Sequence, residues 1–506
     1  MKIRKITVFL LSMILCLSIV ACGDGKNDSG NSSGDDEVKI QEGYTRLDIT
    51  ESNGRKTEGF GTQFDTCIVE SQNGLTEEEW QIQVDALERM NLQNVRIRFY
   101  PEMYERGNDN GDPNVFDYES SNVDFNSIEM NYLYKLLDVF ERNDVKVDLS
   151  WYGCRTTFKS EDGLVTGSWL GGNYGEEGVS NWVNPPIKTE HPNEEFAESV
   201  AACLNYLIQT KKYTCIYEYS MFPEPEGVIH DMEQYGEICT LVKANLEKYG
   251  IADKVLFSGP ADYGNNTERY ENVYLSKYNY QKATSSVYPF NNDSQNAEML
   301  AFAQSYAAVC DKYNISWGIA ESGTSNFETA VSNSDSDKYE RATFMARFMI
   351  NMVNGGCTNI KYFVFSDCYY DGALNELGLF RFRHQDWKAK PVWYSWSLIC
   401  RYTDFGSDIY PIESSDPNVC AVAFKLPDGS WSYMAANNSG TNKKIAIVNT
   451  REDRPQKLNV YKLTGSSYPE DGALELIGKS SEISCENGVS HIVLSPNSFV
   501  VMSDKA

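Results

Sequence analysis

Between residues 59 and 404 the chain alternates short runs rich in Val, Ile, Tyr and Phe with longer stretches whose apolar positions recur at helical spacing. Strands are predicted at GFGTQF (59–64), NVRIRFY (94–100), VKVDLSW (145–151), YTCIYEYS (213–220), KVLFS (254–258), TSSVY (284–288), ISWGIAE (315–321) and IKYFVFS (360–366). The stretch LTEEEWQIQVDALERMN shows how the helices are read. Thr76 is placed as N-cap with Glu79 completing a capping box, and Trp80, Val84, Leu87 and Met90 form one face. The same pattern recurs in SIEMNYLYKLLDVFERN, NEEFAESVAACLNYLIQTKK, DMEQYGEICTLVKANLEKYG, NAEMLAFAQSYAAVCDKYN and KYERATFMARFMINMVNGG. Only the fifth unit is blurred, over 263–282. Eight strand–helix pairs predict a (β/α)8 TIM barrel.

Beyond residue 405 the pattern changes to runs such as VCAVAFKL, WSYMAAN, KKIAIVN, KLNVYKL and HIVLSPNSFVVMS, broken by Gly, Asp, Asn and Pro. These predict a C-terminal antiparallel β-sandwich over 405–506, with the barrel over 44–404. YTRLDI (44–49) has no helix of its own, so residues 44–54 are expected to pair with the sandwich.

A length of 506 residues fits two domains. The formal net charge of −27 repels phosphate backbones and anionic surfaces, which argues against a nucleic-acid partner. Aromatic residues make up 13% of the chain, more than a core needs, and exposed rings suit flat neutral ligands. The opening MKIRKITVFLLSMILCLSIVAC reads as a secretion signal over 1–21, too short to span a bilayer comfortably. Its ending Ile19-Val20-Ala21-Cys22 resembles a bacterial lipobox, which implies lipidation of Cys22 and display on the extracellular face of a bacterial membrane. The alternative is an ordinary signal peptide with an incidental cysteine. The small, acidic segment that follows makes 22–43 a flexible tether. Of 13 cysteines, Cys16 lies in the signal and Cys22 directly follows it, and the other eleven contain no C-x-x-C pair. They read as buried small hydrophobes, and neither a metal nor a cofactor is expected.

In a (β/α)8 barrel the reactive groups lie at the C-terminal ends of the strands. Strand four is followed by Phe222-Pro223-Glu224-Pro225-Glu226, and strand seven ends in Ala320-Glu321-Ser322-Gly323, so each offers a carboxylate at the mouth. Two carboxylates facing across a ligand are what glycosidic cleavage requires, one as proton donor and one as nucleophile or base.

The order of these motifs resembles the large clan of retaining glycoside hydrolases on (β/α)8 barrels that contains cellulases, β-xylosidases and β-glucuronidases. The resemblance covers about residues 55–405. It implies Glu224 as acid/base, Glu321 as nucleophile, Arg96 in NVRIRFYP as electrostatic support, and Tyr288 in SSVYPF as a contact of the nucleophile. The clan's asparagine before the acid/base is Pro223 here, which has neither side-chain hydrogen bond nor N–H. The tryptophan that many members carry on strand eight is missing from YFVFSD, where Phe365 is its expected substitute.

Other readings of the same residues stand beside this one. Glu224 and Glu226 form either a site or a solvated acidic turn, Glu226 competes with Glu224 as acid/base, and Glu321 with Arg96 also fits a structural ion pair. Trp151 and Tyr152, at the mouth end of strand three, are expected to line a sugar subsite. Trp169, Tyr174 and Trp182, in the long Gly-rich loop after it, serve either as sugar platforms or as anchors of the loop. The expected partner is an oligo- or polysaccharide bound by a monomer, with the membrane reached only through the lipid anchor. The competing function is a carbohydrate-binding lipoprotein on a barrel that has lost catalysis.

Overall fold

The computed structural model describes residues 39–505 except 65–72, 152–156, 161–162, 167–190, 222–224, 226–231, 264–265, 324–335 and 371–372. Its centre is a closed barrel of eight parallel strands: Phe60–Gln63, Asn94–Phe99, Lys146–Trp151, Ile216–Ser220, Leu256–Tyr263, Lys282–Val287, Ser316–Ser322 and Ile360–Tyr362. They pair in chain order, and the eighth closes on the first through Ile360 opposite Phe60. Six match the predicted runs closely. The fifth extends five residues beyond the predicted end at Ser258, to Tyr263, and the eighth stops at Tyr362 rather than Ser366.

The helices follow from their caps. Thr76 accepts the Glu79 N–H while the Glu79 side chain accepts that of Thr76, so Glu77–Met90 starts where the capping box places it. The blurred fifth unit is a broken helix: a turn at Thr267–Arg269, a π segment at Tyr270–Leu275 and a last turn at Ser276–Tyr278. The π segment seats Tyr270 and Tyr274 in the core, where the Tyr270 hydroxyl donates to the Thr284 carbonyl at 2.8 Å. That wider winding departs from the 3.6-residue period by which helices are read in a sequence.

The C-terminal region is a six-stranded antiparallel sheet facing a three-stranded one. Thr45–Asp48 belongs to the smaller sheet, parallel to Lys443–Val448. Strand Val419–Lys425 is buried on both faces, which explains its unbroken apolar run. Cys420, Val422 and Phe424 join the core of the barrel, while Val419, Ala421 and Ala423 pack with Leu47, Trp431 and Ile445 inside the sandwich. Helix Tyr339–Asn354 lies against this strand and is buried along almost its whole length. Barrel and sandwich therefore share one apolar layer.

The barrel interior is unusual in carrying charge where branched aliphatics normally dominate. Register sets Arg96 beside Asp148 and Asp148 beside Glu218 on neighbouring strands. Lys361 reaches Asp148 at 2.7 Å and Glu218 at 3.5 Å, and Lys282 reaches Glu218 at 2.9 Å and Glu58 at 2.7 Å. Burial pushes the Glu218 carboxyl up, but Lys282 and Lys361, with the Ser258 hydroxyl, outweigh it and hold the group down at about 2.

A carboxyl with a depressed folded pKa contributes stability above its unfolded value, near 4.3, and that contribution is lost as pH falls toward 2. Lys282→Met leaves Glu218 and Glu58 short of their counter-charge inside the barrel. Urea unfolding at pH 7 should show a loss of about 3–5 kcal/mol. The wild-type advantage over the variant should shrink as the pH is lowered from 5 toward 2. An unchanged midpoint would mean that the column is not a stabilising network.

Candidate active site

Glu321 is the penultimate residue of the seventh strand, at the C-terminal mouth of the barrel. The register of this strand against the sixth shifts between Ile319 and Glu321, so the carboxylate does not follow the face of Trp317, whose ring stacks on Tyr306 of helix Asn296–Asp311. Arg96 lies on the second strand, fully buried, and its Nη1 donates to Glu321 Oε1 at 2.7 Å. The Tyr288 hydroxyl, one residue past the sixth strand, donates to Oε2 at 3.2 Å. Each carboxylate oxygen thus has its own donor, and only 10% of the side chain is exposed. Burying a carboxylate this far requires such partners. Arg96 is itself placed by Asp148, 3.7 Å from its Nε, and by Gln63, whose Oε1 accepts at 3.5 Å. Glycine at 323 leaves room for Tyr288, because a Cβ there would come within 2.8 Å of the ring.

Three residues named from three separate strands or strand ends, Arg96, Tyr288 and Glu321, therefore meet at one point. Glu224, Glu226 and Pro223 lie outside the described residues, as do Tyr152, Trp169, Tyr174, Trp182 and Cys22. The fourth strand that leads to the two glutamates ends at Ser220, followed by a buried Met221.

The two remaining aromatics sit deeper than a stacking platform needs. Trp151 is fully buried, its ring 4.3 Å from that of Phe196 on helix Pro192–Asn205. Phe365 is stacked on Phe64 at 4.7 Å and meets Phe380 edge-on at 5.0 Å. Neither presents an exposed ring face among the described residues. The ring that does is Tyr263, which sequence reasoning missed because the fifth strand was ended too early. It is 54% exposed, 6.2 Å from the Tyr288 ring and on the same side of the mouth.

Sequence reasoning also passed over the charges beneath the site. Their signal was a polar residue at alternate positions of KVDLSW, IYEYS and IKY, which an isolated strand would turn to solvent and a closed barrel turns inward. A further buried pair, Lys390 with Asp367 at 2.7 Å, clamps the segment after the eighth strand to the last helix. Burial pushes the Asp367 carboxyl up to about 6, against the pull of Lys390.

As chemistry, the described arrangement is a carboxylate at the mouth of a barrel, with a guanidinium as counter-charge, a phenol on its second oxygen and an aromatic ring beside it. It suits attack on, or electrostatic stabilisation of, an electron-poor carbon.

No family model and no curated protein is similar to this chain. Among solved structures it is similar to the catalytic domain of GH30 xylanase C from Talaromyces cellulolyticus, at 12% identity over 91% of this chain and 100% of that chain, with a TM-score of 0.61. A GH30 endoxylanase from Clostridium papyrosolvens gives 10% identity, coverage of 92% and 100%, and a TM-score of 0.60. A family 51 alpha-L-arabinofuranosidase from Bifidobacterium longum gives 11% identity, coverage of 91% and 99%, and a TM-score of 0.60. At such identities the likeness is one of fold, and it places nearly the whole chain, barrel and C-terminal sheets together, within one architecture.

Proposed function

We propose that the protein is a glycoside hydrolase that cleaves β-glycosidic bonds of an oligo- or polysaccharide with retention of configuration. The observation that carries this reading is Glu321 at the end of the seventh parallel strand, with Arg96 on one oxygen and Tyr288 on the other. The solved structures of similar fold are described as a xylanase, an endoxylanase and an arabinofuranosidase, which supports a glycan as the substrate class.

In the proposed reaction Glu224 gives its proton to the glycosidic oxygen while Glu321 attacks the anomeric carbon, so the C–O bond to the leaving sugar breaks as the bond to Glu321 forms. Arg96 and Tyr288 hold the attacking carboxylate in position. Glu224 then takes a proton from water, which displaces Glu321 and restores the original anomeric configuration. Retention calls for the two carboxyl groups to stand about 5–5.5 Å apart. We propose further that Cys22 is lipidated and holds the enzyme on the outer face of a bacterial membrane. A second reading, a carbohydrate-binding barrel without catalysis, is favoured by Pro223, which cannot make the hydrogen bond of the asparagine found there in the clan.

Aryl β-glycosides separate these readings. Glu321→Gln should abolish turnover whatever the leaving group. Glu224→Gln should lower turnover of poor leaving groups by about 10²–10⁴ while sparing the first step on activated aryl substrates, and azide should rescue it with formation of a β-glycosyl azide. Rescue of Glu226→Gln instead would move the acid/base role to that residue. Binding of glycans without hydrolysis by the wild type would establish the second reading.

Tyr288→Phe removes one hydrogen bond to a charged group, about 1.5–3 kcal/mol. It should lower kcat roughly 10–100-fold with little change in KM. Cys22→Ala should release folded protein into the medium, and undiminished membrane retention would remove the anchor.

A further inference from the structure

Three carboxylates converge between the segment after the second barrel strand and the helix that precedes the fourth. Glu195 and Glu198 stand three residues apart on helix Pro192–Asn205 and so share a face, and Asp109 comes from the segment after the second strand. One oxygen of each lies within 4.8 Å of the others, and the three residues are 8%, 1% and 0% exposed for Asp109, Glu195 and Glu198. Asp109 Oδ2 accepts from the Asp117 N–H and the Asn110 side chain, which leaves Oδ1 buried and unpartnered.

Glu198 is the observation that points to a ligand. It is fully buried, both of its oxygens lack a hydrogen-bond partner, and it is aimed at the other two carboxylates. His191 acts electrostatically on Glu195 and Lys248 on Glu198. The nearby Lys248 gives its ammonium to the Asn114 carbonyl, and Arg106 is committed to Glu129 at 2.7 Å. Behind the cluster Glu105, also buried, accepts from Ser199, so this side of it adds negative charge. A fully buried carboxylate without a hydrogen-bond donor is costly, and a bound cation offsets that cost.

We propose that Asp109, Glu195 and Glu198 form a calcium site. All the donors are hard oxygens, which exclude the softer transition metals as natural occupants. The three oxygens all lie within 4.8 Å of one another, so one ion can reach them together at calcium–oxygen distances of about 2.3–2.6 Å, and calcium accepts the irregular geometry that such a carboxylate set offers. The ion would fasten the segment after the second barrel strand to the helix that precedes the fourth. It takes no part in the proposed chemistry, so the inference stands or falls independently of the hydrolase reading.

The test uses the full chain, stripped with EDTA, desalted at pH 7 and dialysed to equilibrium against calcium chloride, with bound metal measured by elemental analysis. One calcium per chain is expected, together with a rise in Tm on the order of 3–5 °C at a hundredfold excess over Kd. Glu198→Gln and, separately, Asp109→Asn should each weaken binding at least tenfold and flatten that rise, with the fold checked by far-UV circular dichroism. If the wild type retains no calcium and its Tm does not move, the cluster is a set of protonated carboxyl groups and the proposal is wrong. It is equally wrong if both variants bind as the wild type does.

Discussion

Five ionisable side chains with no exposure, Arg96, Asp148, Glu218, Lys282 and Lys361, fill a barrel interior that aliphatic residues normally occupy, and they can be there only if opposite charges alternate. Each must find its counter-charge on another strand, because its own strand turns the next residue outward. The contacts run from Glu58 at one end through Lys282, Glu218, Lys361, Asp148 and Arg96 to Glu321 at the mouth. A slip of one residue in any of these strands would send its charge to the helical side and strand its partner without compensation. The column thus fixes register by electrostatics in the region where apolar packing alone would tolerate exchange.

The same column orients the candidate nucleophile. Arg96 is gripped from below by Asp148, which Lys361 and the Ser220 hydroxyl hold in turn, each at 2.7 Å. A guanidinium held on several sides offers Glu321 a fixed donor rather than a mobile one, and such rigidity lets a site act without reorganising during reaction. The glycosidase reading rests on this preorganised carboxylate, whereas Asp109, Glu195 and Glu198 bring buried carboxyls together without such a set of donors.

Much of this was legible in the sequence because the signals were local. Capping at Thr76, alternation in NVRIRF and the position of Glu321 at a strand end are all written within a few residues. Arg96 and Tyr288 were named through the resemblance of NVRIRFYP and SSVYPF to the glycoside hydrolase clan, and not through a local pattern. What stayed hidden depended on partners far away. The polar residues of KVDLSW and IYEYS read as a solvent face until the barrel closes, and VCAVAFK does not reveal that its two faces serve different cores. Trp151 was placed at the mouth by position and Phe365 by the resemblance to the clan, but Trp151 packs on Phe196 and Phe365 on Phe64, and no local pattern announces such neighbours. The fifth helix blurred because its tyrosines pack through a π winding whose period differs from the one sought.

The strand Thr45–Asp48 enters the molecule through the sandwich and runs parallel to Lys443–Val448, with Ile49 donating to the Val448 carbonyl at 2.9 Å beyond the last registered pair. A pull transmitted from the N-terminal side along this strand loads its hydrogen bonds in shear, so that they must yield together and not one after another. Tension of that kind would be carried by the sandwich sheet and its shared apolar layer before it could deform the barrel. A load on Thr45–Asp48 would therefore meet the sandwich before it met the carboxylate geometry at the mouth.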